Sequence, residues 1–150
     1  MTKFKLAAIF ISLACGPALL AATISDQVKA RQANFKQISR ANKAINDELK
    51  KSAPSIVVLR ANAAALEKAS LKVTQNLPKG SFVGSTVKTE ARSEILQKPA
   101  IYKSKAAEFQ KAAKALRLAA AAGKLPQIKT AAAAMGPTCK GCHESFRAKD

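Results

Sequence analysis

Cys139-Lys140-Gly141-Cys142-His143-Glu144-Ser145-Phe146-Arg147-Ala148 lies near the end of a 150-residue chain, and the rest of the sequence is read outward from it. The spacing Cys-x-x-Cys-His is the attachment signal for a c-type haem. On a helix, Cys139 and Cys142 fall three residues apart on one face, so two thiols reach the two vinyl groups of one porphyrin. His143 follows at once, and its imidazole can ligate the iron. A redox dithiol and half of a zinc site are the competing readings. A zinc site takes about four ligands, whereas the whole chain has three Cys and one His. A thioredoxin-like dithiol belongs in a βαβ setting, and none occurs. The expected cofactor is one haem c, attached through two thioethers.

The two cysteines also continue an apolar stripe. Pro126 opens the segment, and Ile128, Ala132, Met135, Cys139, Cys142 and Phe146 recur at three-four spacing, the core-facing side of a helix. Three earlier segments share the rhythm. Ser25-Asp26 opens the first as a cap with an acid in the first turn. Its seam is Val28, Phe35, Ile38, Ile45 and Leu49, with Arg31 and Asn42 on the same side, over roughly 25 residues or about 38 Å. Ser52-Ala53-Pro54 breaks the chain, with Pro54 in the first turn of the second helix. Ile56, Leu59, Ala63, Leu66, Ser70, Val73 and Leu77 carry that helix to Leu77-Pro78-Lys79-Gly80. Residues 78–98 form a long loop with a short helical turn within Thr89–Leu96; loops of such length are often functional. Pro99 begins the third helix, with Tyr102, Ala106, Phe109, Ala113, Leu116 and Ala120 as its seam and Gly123 as its C-cap.

No segment alternates with period two, and the Ala-rich composition favours helix. Four amphipathic segments with two short connections and one long one predict an all-α, antiparallel four-helix bundle with covalently attached haem. Gly136-Pro137 interrupts the last segment, and an interior proline costs about 3 kcal/mol. A kink or break is therefore expected just before Cys139.

The first 22 residues read as a secretory signal peptide, leaving 23–150 as the cytochrome domain. Lys3 and Lys5 precede a short apolar run from Leu6 to Ala14, Gly16-Pro17 breaks it, and Ala21-Ala22 offers small residues for cleavage. The run is too short to span a membrane, and no later stretch spans one. A lipid anchor at Cys15 would want an aliphatic residue three places earlier, where Ser12 stands. Loss of the leader removes Cys15, so both remaining cysteines belong to the motif. The expected location is the periplasm, in keeping with haem attachment outside the cytoplasm.

The chain has 26 Lys and Arg against 9 Asp and Glu, a formal net charge of +17. Without Lys3 and Lys5 the balance is about +15. Such a balance raises the question of nucleic acid, yet the basic residues are scattered over helical faces and aromatics are few. A solvated cationic surface is the plainer reading. It steers an acidic redox partner toward the protein.

These residues resemble cytochrome c′, the four-helix class of c-type cytochromes, which carries its haem motif near the C-terminus. The likeness covers nearly all of the mature chain. It is most specific at Thr138 to Arg147 and at Arg31-Gln32-Ala33-Asn34-Phe35-Lys36. Weaker pieces are Ala91-Arg92-Ser93-Glu94-Ile95, followed by Leu96 where the family usually has Trp, and Leu118 through Gly123. Pro137 also departs from the family pattern. The resemblance implies a haem inside one end of the bundle, with Cys139 and Cys142 as thioether anchors and His143 as proximal ligand. It matches Arg31 and Gln32 to positions contacting the haem propionates and Glu90 to an acidic position near the haem edge. Phe35 matches the distal position, which is Met in the low-spin branch. The family often forms homodimers through its first two helices, and Ala61, Ala63, Ala64 and Ala65 would permit close packing there. The spacing agrees with the placing: Arg31 and Phe35 are four apart on one face, and an Arg on an apolar seam needs a partner such as a propionate. Otherwise Arg31 snorkels to solvent and Phe35 is plain core.

His143 is the only histidine, and after cleavage Met135 is the only methionine. Met135 lies eight residues before His143 on the same helix, about 12 Å along its axis, and does not reach the opposite face of one iron. With neither usual sixth ligand present, the iron is expected to be five-coordinate and high-spin, with an apolar distal pocket roofed by Phe35. Such a site favours nitric oxide and carbon monoxide. Arg147, one turn past His143, brings positive charge near the imidazole. The expected function is thus a periplasmic c-type haem protein engaged in electron transfer, in binding nitric oxide and carbon monoxide, or in both. The rivals are a low-spin, six-coordinate electron carrier and a non-haem cationic helical protein acting on membranes. No nucleophile-base pair or acid pair is visible, so the chain does not read as an enzyme. The expected partners are a small diatomic gas, an acidic redox protein and a second copy of the chain, with no nucleic acid and no integral membrane span.

Overall fold

The computed structural model describes residues 23–149. The expected leader at 1–22 and the Cys15 reading lie outside the described residues. Six helices form: α1 (Ile24–Leu49), α2 (Ile56–Ser70), α3 (Glu94–Gln97), α4 (Pro99–Ala122), α5 (Leu125–Ala133) and α6 (Met135–Phe146). α1, α2 and α4 are three arms of an antiparallel four-helix bundle, α5 and α6 in succession make the fourth, and α3 is one turn within the long connection. α1 packs on α2, α2 on α4, and α4 on α5 and α6, while α5 closes the ring against α1.

α1 starts one residue before the expected cap. Thr23 is the N-cap: its hydroxyl accepts from the Asp26 N–H (3.1 Å), and the Asp26 carboxylate accepts from the Thr23 N–H (3.2 Å). This reciprocal box satisfies two donors that a helix start leaves open, so Ser25 lies inside the helix. α1 buries Val28, Arg31, Ile38, Ala41, Ile45 and Glu48. Phe35, expected on this seam, is 38% exposed. The adjacent Asn34 donates to the Ala69 carbonyl at the end of α2 (3.0 Å). At about 100° per residue, Phe35 nonetheless projects on the same side of α1 as the buried Val28, Arg31 and Ile38.

The α1–α2 turn is organised by Glu48, which is buried. Its carboxylate accepts from Lys51 Nζ (2.7 Å) and from the Ser55 N–H (2.8 Å). Ser55 then caps α2, its hydroxyl accepting from the Val58 N–H (3.4 Å). Pro54 therefore precedes the helix rather than occupying its first turn. α2 also ends earlier than expected, at Ser70 rather than near Leu77. Carbonyls at and just beyond its end accept from side chains of two other arms. Asn34 takes that of Ala69, Gln110 that of Ser70 (3.3 Å), and the Tyr102 hydroxyl that of Val73 (2.6 Å). Helix ends persist where such groups are satisfied.

α4 matches its expected bounds, with Pro99 in the first turn and Gly123 at φ 71° beyond the last. That left-handed conformation suits glycine. The fourth arm breaks at Ala134, as Gly136-Pro137 foretold. Pro137 becomes the third residue of α6, where its missing N–H has no intrahelical acceptor to lose.

The main core runs through the bundle axis, with Ile45, Leu59, Leu66, Leu116, Ile128 and Met135 fully buried. Each such side chain contributes about 1.5–3 kcal/mol on removal from water. A second, smaller core of Phe82, Ile95, Tyr102 and Phe146 lies beneath the long connection. No described helix is long and apolar enough to cross a membrane.

Candidate haem site

The motif sits where the two cores meet. Cys139 packs against the main core and Cys142 against the smaller one. Both are free, half-buried thiols three residues apart on α6. Burial pushes both thiols up in pKa, and Cys139 adds to the effect on Cys142. The direction is opposite to that of a redox dithiol, whose reactive thiol has a lowered pKa. Among the described residues no three His, Cys, Asp or Glu side chains gather as a metal cluster, so the half-zinc reading finds no second half.

His143 lies beside Cys142 on α6, toward solvent. Partial burial and the Arg147 cation lower its pKa, and Glu90 opposes them. The neutral imidazole, the form that ligates a metal, is thus favoured at pH 7. Arg147 caps α6, its N–H donating to the His143 carbonyl (3.0 Å). Its guanidinium grips Glu90 Oε2 through Nε and a terminal nitrogen, each at 2.6 Å. Two thiols, an adjacent imidazole and an apolar wall containing Phe82, Tyr102 and Phe146 suit a haem bound by two thioethers and one axial nitrogen.

The long connection brings in Arg31, which is 5% exposed. Its terminal nitrogens donate to the Asn76 carbonyl (2.9 Å), Ser81 Oγ (2.9 Å), the Ser81 carbonyl (2.6 Å) and Thr89 Oγ1 (2.9 Å). Its guanidinium carbon also stands 5.7 Å from the Phe82 ring centre. Burial lowers its pKa from the ordinary value. Arg31 is thus a buried cation with partners, and the long connection supplies four acceptors to it. Gln32 donates to the Lys88 carbonyl (3.0 Å) on the same loop. Glu90 is joined to α6 through Arg147, and Phe35 stands at the edge of the seam. Sequence reasoning missed Asn76, Ser81, Thr89 and the Tyr102–Val73 bond. The one available signal was polarity in an unusually long loop.

Fold and site together define a helical-bundle c-type haem protein. Residues 26–147 match the profile of the family described as Cytochrome C′, and the chain belongs to the cytochrome c′ family. The family carries one covalent haem c, and Cys139-Lys140-Gly141-Cys142-His143 is the corresponding motif. A cytochrome c′ from Pararhodospirillum photometricum is 42% identical over 91 residues, covering 59% of this chain and 73% of that protein. Among solved structures, one cytochrome c′ described by its ligand-controlled dimer dissociation superposes with a TM-score of 0.79 at 28% identity, covering 86% of this chain and 99% of that one. A nitric oxide complex of a cytochrome c prime variant from Alcaligenes xylosoxidans superposes with a TM-score of 0.76 at 29% identity, covering 85% and 98%.

Proposed function

We propose that this chain is a periplasmic haem protein that binds nitric oxide and carbon monoxide at a five-coordinate, high-spin iron. Cys139 and Cys142 are its covalent anchors and His143 its single axial ligand. When bound, the haem supplies an iron with one open face. The observation carrying this reading is the ligand count. No second histidine exists, and Met135, the one methionine among the described residues, is 1% exposed within the main core. The family resemblance matches Phe35, an apolar side chain with no hydrogen-bond donor, to the distal position. An apolar distal side suits uncharged diatomics over anions. A relative of this fold studied as a nitric oxide complex supports the choice of gas.

Electron transfer belongs to the same proposal, since the site is a redox centre on a cationic protein that attracts acidic partners. The chain acts as a binder or carrier rather than an enzyme. The cationic membrane-active reading leaves the Cys-x-x-Cys-His motif without a purpose. A homodimer through α1 and α2 is supported by the relative named for dimer dissociation and by exposed Val57 and Leu71 on α2 and just beyond its end (75% and 59%). Ala63, expected on that face, instead points into the core at 0% exposure.

The deciding experiment is the absorption spectrum of the ferrous protein with and without nitric oxide. A broad, unsplit visible band that shifts on adding the gas is expected. A sharp, split band indifferent to the gas would mean a sixth ligand and a pure electron carrier.

A further inference from the structure

Thr89 and Glu90 are neighbours in the chain, and each grips an arginine from a different arm of the bundle. Thr89 Oγ1 accepts from Arg31 of α1, and the Glu90 carboxylate accepts from Arg147 at the end of α6. The Arg147 side is reinforced by backbone pairing: the Ala148 N–H donates to the Glu90 carbonyl (2.8 Å), the Arg92 N–H donates to the Phe146 carbonyl (3.0 Å), and Ala91 bridges to Arg147. The Arg31 side is reinforced by the Ser81 and Asn76 contacts. Between the two, the Val83 N–H donates to the Ala91 carbonyl (2.8 Å) and the Ala91 N–H to Thr89 Oγ1 (3.2 Å).

We propose that Glu90 is a positioning residue for the His143 end of α6: it holds Arg147 in place and, through Thr89, ties that end to Arg31 on α1. An exposed ion pair alone contributes about 0–1 kcal/mol, and both side chains here are about half exposed (47% and 53%). The pair matters because backbone bonds already hold the two main-chain segments side by side, so the side chains meet without ordering the backbone anew. Two adjacent residues share one peptide unit, and that unit is planar and stiff. The dihedrals flanking that unit are soft, but the Ala91 N–H bonded back to Thr89 Oγ1 (3.2 Å) stiffens the corner, so a displacement of Arg147 is felt at Thr89. The consequence is mechanical and electrostatic: the segment 81–92 couples the helix of the proposed axial ligand to α1, and Glu90 offsets the Arg147 charge beside it.

This inference rests on His143 being the axial ligand, which the haem content and spectrum of the unaltered protein test separately. It is tested on fully haem-loaded chains with Glu90→Ala, Glu90→Gln, Arg147→Gln and Thr89→Ala. In amide hydrogen exchange, Glu90→Ala is expected to speed exchange about three- to five-fold at Ala148 and Arg92, and also at Ser81, an Arg31 partner whose N–H donates to the Pro78 carbonyl. Thr89→Ala is expected to act in the reverse direction, reaching Ala148. The midpoint potential reads positioning, which a passive clamp would not move. It is expected to rise in Glu90→Gln, fall in Arg147→Gln, and shift in the double variant by less than either single change. Exchange that changes only on the altered residue's own side, or a potential unmoved by both charge removals, would overturn the proposal.

Discussion

The Tyr102 ring stands edge-on to Phe146, with centroids 5.1 Å apart and planes at 86°. Phe146 lies three residues past His143, and the Tyr102 hydroxyl reaches across to the Val73 carbonyl. One α4 side chain thus braces the motif helix and closes the end of α2. Removing the hydroxyl strands a buried acceptor. Tyr102→Phe is expected to lower stability by about 1–2 kcal/mol in chemical denaturation while leaving haem attachment intact. Unchanged stability would mean that water serves the Val73 carbonyl equally well.

The same tyrosine gives the protein an alkaline weakness. Burial first, and Cys142 second, push its pKa from the ordinary 10.0 to about 12. The folded state holds this proton more tightly than the unfolded chain. Its stabilising contribution is complete below about pH 10 and is lost as pH rises toward about 12. Melting temperatures measured across that window should fall more steeply for the unaltered protein than for Tyr102→Phe.

Leu116 is fully buried in the main core, away from the motif. Leu116→Ala leaves a cavity that a close-packed bundle fills only in part, for a loss of about 2–5 kcal/mol. Denaturant titration should show this with the haem spectrum unchanged below the transition. An altered spectrum in the folded state would reveal coupling between the bundle axis and the site.

Phe35 tests the open face. Being 38% exposed, it can be replaced with little loss of packing. Phe35→His is expected to supply a sixth ligand, convert the spectrum to a split low-spin form and slow nitric oxide binding at least ten-fold. A spectrum that stays high-spin would place Phe35 away from the iron.

Much of this was legible in order along the chain, because its signals are local. Cys139, Cys142 and His143 carry their meaning in spacing alone. The three-four rhythm marked the helices because each must bury one face, and Pro99, Gly123 and Gly136-Pro137 mark boundaries through backbone restrictions that need no partner. The errors arose where a distant partner decides. α2 ends at Ser70, where side chains of α1 and α4 bond its last carbonyls. Arg31 was recognised as a buried cation in need of acceptors, yet its acceptors stand 45 to 58 residues away.

The cofactor class, the number of candidate iron ligands and the helical architecture are all legible along the chain. Each follows from covalent spacing, residue counts or a periodic apolar face. Packing alone settles that Thr89 and Glu90 grip arginines from different arms, that the two cysteines lie between two cores, and that the loop supplies hydrogen-bond acceptors to Arg31. Those outcomes depend on which polar groups meet after the helices have packed. Hydrogen bonds of this kind leave no period in the sequence, because their direction is set by the packing and not by the chain.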